Sequence, residues 1–238
     1  MQTTLEKVVT RVPFDQILLE NRAYRFRAPD QNKDEALKGQ LSLLGLLNPL
    51  ILEEASPQQY IVLDGFRRLD AIHALRGVEA GWNDVPAEVI PSDNMSAADR
   101  FKILKTGNML GDNAYSLYEK ACFLHFFCEQ GMSREELANA ADIPTDQLLS
   151  YLELGALRPP WGPELNHLNL DISFVGPLAV RYKTWAASPY RDLADGVVQK
   201  ILSHAKEEKL TMKSWHFYLD FYWSHGRPFM AAPRNPLG

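Results

Sequence analysis

The chain contains little cysteine and no long hydrophobic run. Its 238 residues include two cysteines, Cys122 and Cys128. Two thiols cannot supply the disulfide framework of a small secreted protein, and the segment around them offers only His125 as a further metal ligand. No apolar stretch approaches the ~18 to 20 residues that cross a bilayer, and the N-terminus lacks the apolar core of a signal peptide. These absences predict a cytoplasmic protein with ordinary buried thiols and no membrane partner.

The sequence also lacks the short motifs of common nucleotide and metal enzymes, and it has no excess of positive charge. It contains no GxxxxGKS/T phosphate loop, no GxGxxG and no HExxH. The formal net charge of -5 counts against a strongly basic protein that coats nucleic acid nonspecifically. Residues 1–100 carry 11 basic and 15 acidic side chains, residues 101–160 carry 5 and 8, and residues 161–238 carry 9 and 7. A DNA-binding surface must therefore be a local patch.

The first part of the chain mixes helix and strand patterns. In DEALKGQLSLLG, a helical stripe of Leu37, Leu41 and Leu44 stops at Gly45. NPLILEE, QYIVLD and VPAEVI read as short strands, and a helix from Arg67 follows the second of them. These patterns predict an α/β unit over residues 1–95.

After residue 95 the strand patterns end and helix signals dominate. Ser116 with Glu119 and Ser133 with Glu136 have the spacing of capping boxes. The prolines of LRPPWGPEL interrupt the helical series. We therefore predict an α+β protein with helical regions at residues 96–160 and 161–238, the last ending in a tail.

One segment, YIVLDGFRRLDAIHALRG, places two arginines directly after a strand and a glycine. Gly65 permits a positive φ or a close approach by another group. The first N–H groups of a helix favour an anion, whereas Arg67 and Arg68 are unfavourable for the helix itself at that position. Two explanations stay open: the guanidinium groups face a phosphate or carboxylate ligand, or they pair with Asp64, Asp70 or another local acid.

This segment resembles the G-E-R-R-x-R-A motif of ParB-type partition proteins and of the broader ParB/sulfiredoxin superfamily. The matching positions are Gly65, Arg67, Arg68 and Ala71. Upstream, FDQILLENRAYRF resembles the opening strand and N-P-x-x-x-R segment, and LKGQLSLLGLLNPLIL resembles S-I-x-x-x-G-x-x-x-P-x-x-V. Downstream, GNMLGDNAYSLYEKA resembles E-N-x-Q-R and P-x-E-x-A. Their matching positions are Asn21, Arg25, Gly45, Pro49, Asn108, Glu119 and Ala121. The resemblance covers about residues 10–155.

The resemblance implies a ParB/sulfiredoxin-like N-terminal α/β domain, an all-α helix-turn-helix region and a helical C-terminal part. It also implies a pocket for CTP or another nucleoside triphosphate. The nucleotide or anion-binding positions would be Arg25, Gly45, Gly65, Arg67, Arg68 and Asn108. Phe66 and Gly107 stand where the motifs have glutamates, and Leu110 where they have glutamine. A hard cation needs oxygen ligands, so we expect no magnesium ligand at position 107 and no efficient catalysis beyond weak nucleoside triphosphatase activity.

The segment MSREELANAADIPTDQLLSYLELGAL has the pattern of apolar and polar residues that is typical of a helix-turn-helix. Its predicted packing positions are Leu137, Ala138, Ala141, Ile143, Leu148, Leu149 and Leu152. Its predicted DNA-binding positions are Arg134, Thr145, Gln147, Ser150, Tyr151 and Arg158. The second helix also carries Asp146 and Glu153, and Asp146 would repel phosphate unless it accepts from a cytosine amino group. Two interpretations therefore stay open: the motif binds DNA, or it serves only in packing.

The C-terminal part interleaves basic and aromatic residues. Such a pattern can bind nucleic acid, but the helical spacing of Trp215, Leu219 and Tyr222 favours a core or dimer face. Three functions stay open. The first is a DNA-associated, nucleoid- or plasmid-bound homodimer of the ParB type, acting in partition or transcription regulation. The second is a superfamily enzyme with a nucleoside triphosphate as phosphoryl donor. The third is a noncatalytic interaction protein that binds a protein partner through its C-terminal helices.

Overall fold

The computed structural model describes residues 7–92, 95–109, 114–187 and 191–207, together with residues 211 and 214. Contacts divide the chain into two compact units, Met1–Ala114 and Tyr115–Gly238. The predicted boundaries at residues 95 and 160 describe a finer division and stay a prediction. No helix among the described residues is long and apolar enough to cross a membrane.

A four-stranded mixed sheet forms the centre of the first unit. Its strands are β1 (Val8–Pro13), β2 (Leu50–Ser56), β3 (Gln59–Asp64) and β4 (Asp84–Pro91), in the spatial order β1-β4-β2-β3. β4 runs antiparallel to β1 and parallel to β2, and β2 runs antiparallel to β3. The three strands predicted from NPLILEE, QYIVLD and VPAEVI are therefore confirmed.

The opening strand predicted in FDQILLENRAYRF is wrong. β1 lies earlier, in VVTRVP, where β-branched residues favour the extended chain. The predicted segment instead begins with a 3-10 turn, Phe14–Gln16. Ile17 then makes a single bridge to Tyr60 at the outer edge of β3.

Three helices complete the first unit: α1 (Gln31–Leu44), α2 (Phe66–Arg76) and α3 (Ala97–Asn108). α1 ends at Gly45, which has φ 71, as predicted. The leucine stripe of α1 is only partly correct, because Leu41 is buried whereas Leu44 is 58% exposed. α1 packs chiefly against α2, so only part of its apolar face reaches the core. The main core joins the sheet to α2 through residues such as Val12, Leu50, Leu52, Val62, Leu69, Ile72, Val85 and Ala87.

The second unit is helical over its described residues. It contains α4 (Leu117–Glu129), α5 (Arg134–Ala141), α6 (Thr145–Leu157), α7 (Ile172–Ala186) and α8 (Arg191–Glu207). α6 lies between α4 and α7 and packs against both. The prolines after α6 do end the helical series, and a 3-10 turn, Gly162–His167, leads to α7.

The predicted helix starts of the second unit are confirmed. Ser116 and Ser133 each accept a hydrogen bond from the backbone N–H of Glu119 or Glu136, and each glutamate bonds back to the cap. Both cysteines are free thiols, but they are half-buried rather than fully buried. The C-terminal face predicted from Trp215, Leu219 and Tyr222 lies outside the described residues, as does the predicted tail.

Candidate functional site

The arginine turn, residues 64–68, joins β3 to α2 at the edge of the first unit's core. Gly65 has φ 102, a left-handed conformation that other residues adopt at a cost. A side chain there would also collide with the core, because an added Cβ would lie 2.6 Å from Cδ2 of Leu50. Within the described part of the chain, no side chain caps the N-terminus of α2. The turn therefore presents backbone N–H groups beside Arg67 and Arg68.

Arg68 is occupied by acceptors of its own unit. Its Nη1 donates to the carbonyl oxygens of Asn48 and Pro49, at 2.7 Å each, and its Nη2 donates to Oδ2 of Asp64 at 3.0 Å. These bonds tie the loop after α1 to the end of β3. Arg68 thus has a structural role in this fold, and one of the local pairings left open by the sequence is realised.

Arg67 is only partly occupied. Its Nε donates to Oδ1 of Asp34, in the first turn of α1, at 2.5 Å. Its Nη2 is buried and has no hydrogen-bond partner within the described part of the chain. A buried, charged donor without an acceptor is costly, so this atom marks a place where an anionic oxygen would stabilise the site.

Asn108 joins the arginine turn through Asp64. Its Nδ2 lies 3.3 Å from Oδ1 of Asp64, and its Oδ1 accepts from Nη2 of Arg27 at 3.3 Å. Asn108 is a buried polar side chain, at 8% exposure. An added Cβ at Gly107 would lie 3.5 Å from Oδ2 of Asp64. The carboxylate beside position 107 therefore comes from Asp64, and Arg68 and Asn108 both hold it.

Arg25, from the segment before α1, contacts α2 at Asp70, one turn beyond Arg67. Its Nη1 pairs with Oδ2 of Asp70 at 2.7 Å, and Arg22 takes the other oxygen of that carboxylate at 2.8 Å. The Arg22 guanidinium also lies 5.9 Å from the centroid of the Phe66 ring. Phe66 is buried at 8% exposure and packs in the core, as its apolar side chain requires.

The structure thus links four of the six predicted anion-binding residues at the turn. Gly65, Arg67 and Arg68 form the turn, and Asn108 reaches it through Asp64, whereas Arg25 pairs with Asp70 further along α2. Gly45 ends α1 and lines a cavity together with Arg68. The sequence interpretation missed Asp34, Arg22 and Arg27, because they come from α1 and from the irregular segment before it. Arg22 and Arg27 are the only ones that a local signal, the arginine-rich NRAYRFR, could have marked.

The second candidate region is the pair α5 and α6. They are joined by Asp142, Ile143 and Pro144, and Asp142 turns the chain with φ 55. The predicted packing positions Leu137, Ala138, Ala141, Ile143, Leu148 and Leu152 are buried. Leu149 is 41% exposed, so its predicted inward position is wrong. Leu154, which the prediction did not name, is fully buried.

The predicted DNA-contacting residues differ in accessibility. Arg134, Thr145, Gln147 and Arg158 are exposed. Ser150 is half-buried against α7, since an added Cβ at Gly176 would lie 2.6 Å from its Oγ. Tyr151 is buried, and Lys120 lies 4.9 Å from the centroid of its ring. Burial raises the pKa of the Tyr151 hydroxyl. The accessible candidates therefore lie at the N-terminal ends of α5 and α6 and directly after α6.

The charged side chains at and around the arginine turn are suited to contact an anionic oxygen. Its charged side chains are the arginines 22, 25, 27, 67 and 68 and the aspartates 34, 64 and 70. Guanidinium groups recognise phosphate and carboxylate oxygens with directed hydrogen bonds. No group of three or more histidine, cysteine, aspartate or glutamate side chains that could hold a metal ion occurs among the described residues.

Comparison with known proteins assigns the fold. No protein-family model matches the chain, and no curated protein matches it. The solved C2221 form of a Pnob8-like ParB-N domain aligns with a TM-score of 0.56 and 14% identity over 92% of this chain and 95% of that chain. A second structure, of the pNOB8-like ParB N-domain, aligns with a TM-score of 0.53 and 15% identity over 90% and 96%. The chain has the fold of these ParB N-domains, so the predicted α+β, ParB-like fold is confirmed.

Proposed function

We propose that this protein is a DNA-associated protein of the ParB type whose arginine turn binds the phosphates of a nucleoside triphosphate. The observation that carries the proposal is the buried Nη2 of Arg67, which has no acceptor among the described residues. It lies in the first turn of a helix without a side-chain cap, on a fold shared with ParB N-domains. A phosphate oxygen satisfies both the orphan donor and the helix N-terminus. CTP is the ligand that the family resemblance implies.

The phosphates would lie over Gly65 and Arg67, with Arg25, Arg68 and Asn108 holding the surrounding carboxylates in place. Asp64, the carboxylate beside position 107, is already bound to Arg68 and Asn108. A carboxylate engaged in this way is a poor ligand for a hard cation. We therefore propose that nucleotide binding does not require magnesium.

Calorimetric titration of the four ribonucleoside triphosphates, with and without magnesium, tests this site. We expect one nucleotide to bind in both conditions and Arg67→Ala to weaken its binding about 10-fold or more, the usual effect of losing a charge-assisted hydrogen bond. Arg76→Ala is the matched control: Arg76 lies at the other end of α2, where it pairs with Asp15. Absence of heat from all four nucleotides would contradict the proposal.

DNA binding is the second part of the proposed function. Arg134 and Arg158 are exposed and would contact phosphates, while Thr145 and Gln147 would reach base edges from the exposed end of α6. Ser150 and Tyr151 would act from within the packed helices and support the position of α6. Partition or transcription regulation, a homodimeric state and association with nucleoid or plasmid belong to the same proposal.

Retention on an immobilised pool of random duplexes at low salt tests the DNA site. We expect the double variant Arg134→Ala, Gln147→Ala to lose retention that the wild type shows, and retention to fall steeply as salt increases. The matched control is Lys206→Ala, Gln199→Ala, which removes one exposed cation and one exposed amide from α8. Equal retention of wild type and the first variant would contradict DNA contact at these residues.

A noncatalytic interaction protein is the second candidate function. Arg67 and Arg68 contact Asp34 and Asp64 of their own unit, as expected where the arginines serve the fold. Three exposed leucines at the end of α1 and beyond it, Leu43, Leu44 and Leu47, offer an apolar patch. This candidate predicts neither nucleotide nor DNA binding in the two experiments above.

A further inference from the structure

One carboxylate contacts Arg67 from outside its own helix. Asp34 lies in the first turn of α1, and its Oδ1 accepts from Nε of Arg67 at 2.5 Å. Its Oδ2 accepts from the backbone N–H of Asp30, the residue that caps α1, at 3.2 Å. Both oxygens of Asp34 are therefore engaged, and the start of α1 fixes the position of the carboxylate.

The contact between Asp34 and Arg67 is incomplete on the guanidinium side. Nε–H and the adjacent Nη2–H of an arginine point in the same direction and form a fork that suits a carboxylate or a phosphate. Asp34 reaches Nε only, while Nη2 is buried without a partner among the described residues. One half of the fork is therefore filled by a group of the protein, and the other half, Nη2, has no acceptor among the described residues.

We propose that Asp34 is an internal competitor for anions at the arginine turn and a determinant of ligand specificity. The proposal rests on the proposed nucleotide-phosphate site. With its carboxylate on Nε, Asp34 neutralises part of the charge of Arg67 and repels a second anion at the same fork. A ligand binds only if its own contacts outweigh that repulsion.

This arrangement selects ligands with several phosphoryl groups. Two like charges at contact distance repel strongly near a protein surface. A single phosphate or sulfate must overcome the repulsion of Asp34 with the few contacts that one group makes. A triphosphate places one group at Nη2 of Arg67 and further oxygens along the N-terminus of α2, so its additional contacts offset the repulsion. Asp34 therefore lowers affinity for all anions but excludes small ones most effectively.

Removal of the Asp34 charge tests the proposal. Asp34→Asn keeps an oxygen that can accept from Asp30 and removes the negative charge from the fork. The probes are inorganic phosphate and tripolyphosphate, titrated calorimetrically into the full chain. We expect Asp34→Asn to strengthen binding of phosphate about 10-fold or more, and to strengthen binding of tripolyphosphate less. Asp34→Asn combined with Arg67→Ala is expected to lose this gain.

Glu35→Gln is the matched control. Glu35 is the next residue of α1 and loses the same charge, but it is mostly exposed and pairs with Lys38. A long-range effect of net charge predicts equal gains for the two variants, whereas competition at the fork predicts a gain for Asp34→Asn alone. Thermal unfolding by circular dichroism checks the fold. If Asp34→Asn does not fold, Asp34→Ser replaces it, since serine is well accepted near a helix start.

The outcomes separate this proposal from the proposed function. If the wild type binds tripolyphosphate and Asp34→Asn binds it more tightly, the result supports both the nucleotide-phosphate site and the competitor role of Asp34. If only Asp34→Asn binds, the result supports the competitor role of Asp34. Wild-type binding with no gain in the variant overturns the competitor role and leaves the site intact. No binding of either probe to any variant overturns the anion site, and the competitor role with it.

Discussion

At the scale of single residues, the most deeply buried charge in the described part of the chain is Glu53 on β2, at 1% exposure. Arg100 on α3 donates to both of its carboxylate oxygens, and Ser92 donates to one of them at 2.8 Å. These bonds hold α3 against the sheet. The Glu53 hydrogen bond, with smaller contributions from nearby charges, raises the pKa of Arg100.

Loss of the Arg100 side chain is expected to destabilise the first unit. Arg100→Ala leaves Glu53 buried without its cation, at a cost of about 3 kcal/mol in the free energy of unfolding. Urea unfolding followed by circular dichroism measures the change. Lys7→Ala breaks the more exposed pair with Glu88 and should cost less than about 1 kcal/mol. Similar costs for the two variants would show that the Glu53 pair is not buried in solution.

The residues of the arginine turn differ in how far the sequence predicts their contacts. Gly65, Arg67 and Arg68 lie within four residues of sequence, so the sequence predicts their shared turn directly and offers Asp64 as an acid for pairing. The pairing of Arg67 with Asp34 could not be read, because it joins residues 33 positions apart through the packing of α1 on α2. Likewise, nothing local indicates that Asp64 fills the space beside Gly107.

At the scale of elements, local signals with a defined spacing were reliable. The capping boxes and the glycine end of α1 depend only on backbone geometry within a few residues, and all were confirmed. The inward faces of α1 and α6 were harder to predict, because burial depends on which neighbour covers each face. Leu44 and Leu149 fit a helical apolar stripe yet remain exposed.

The contact between α4 and α6 depends on one glycine. An added Cβ at Gly155 would lie 2.3 Å from the backbone oxygen of Ala121 and 2.6 Å from Cβ of His125. Such a collision requires the two helices to move apart, because backbone atoms cannot rotate away. The close approach of these helices therefore requires the absence of a side chain at position 155.

Gly155→Ala is expected to destabilise the second unit by about 2 kcal/mol or more, the usual cost of overpacking. Gly39→Ala is the matched control. Gly39 lies inside α1, and beyond its chain neighbours and the backbone of its own helix no described atom lies within 4 Å of an added Cβ. There the change should stabilise by about 0.5–1 kcal/mol, since alanine is the better helix former. Thermal unfolding of the two variants checks the opposite signs, and a neutral Gly155→Ala would contradict the close helix contact.

At the scale of the whole molecule, acidic groups near helix starts make stability depend on pH in both units. In the first unit, the hydrogen bond from the Ser96 hydroxyl is the largest cause of the lowered pKa of Asp99. In the second unit, the backbone N–H of Ser133 lowers the pKa of Glu136, and the backbone N–H of Ser173 lowers that of Asp171. All three carboxylates thus bind their protons less readily in the folded chain.

The sign of the pH dependence follows from these lowered values. The unperturbed values are 3.8 for aspartate and 4.5 for glutamate. At pH values above these, the carboxylates are ionised in both the folded and the unfolded chain, and their stabilisation is fully present. As the pH falls through the lower pKa values of the folded chain, this stabilisation is lost, because the unfolded chain takes up protons first. We therefore expect the free energy of unfolding to be level near neutral pH and to fall on acidification below about pH 5.

Glu136→Gln isolates one contribution to this pH dependence. Glutamine keeps an oxygen that can accept from the N–H of Ser133 but does not titrate, so the capping box can persist. Urea unfolding at a series of pH values from neutral to about 3 should show a shallower loss of stability for Glu136→Gln than for the wild type. Ser133→Ala, which removes the hydroxyl of the cap, should instead lower stability across the whole range. A loss as steep in Glu136→Gln as in the wild type would show that this carboxylate does not contribute to the acid sensitivity.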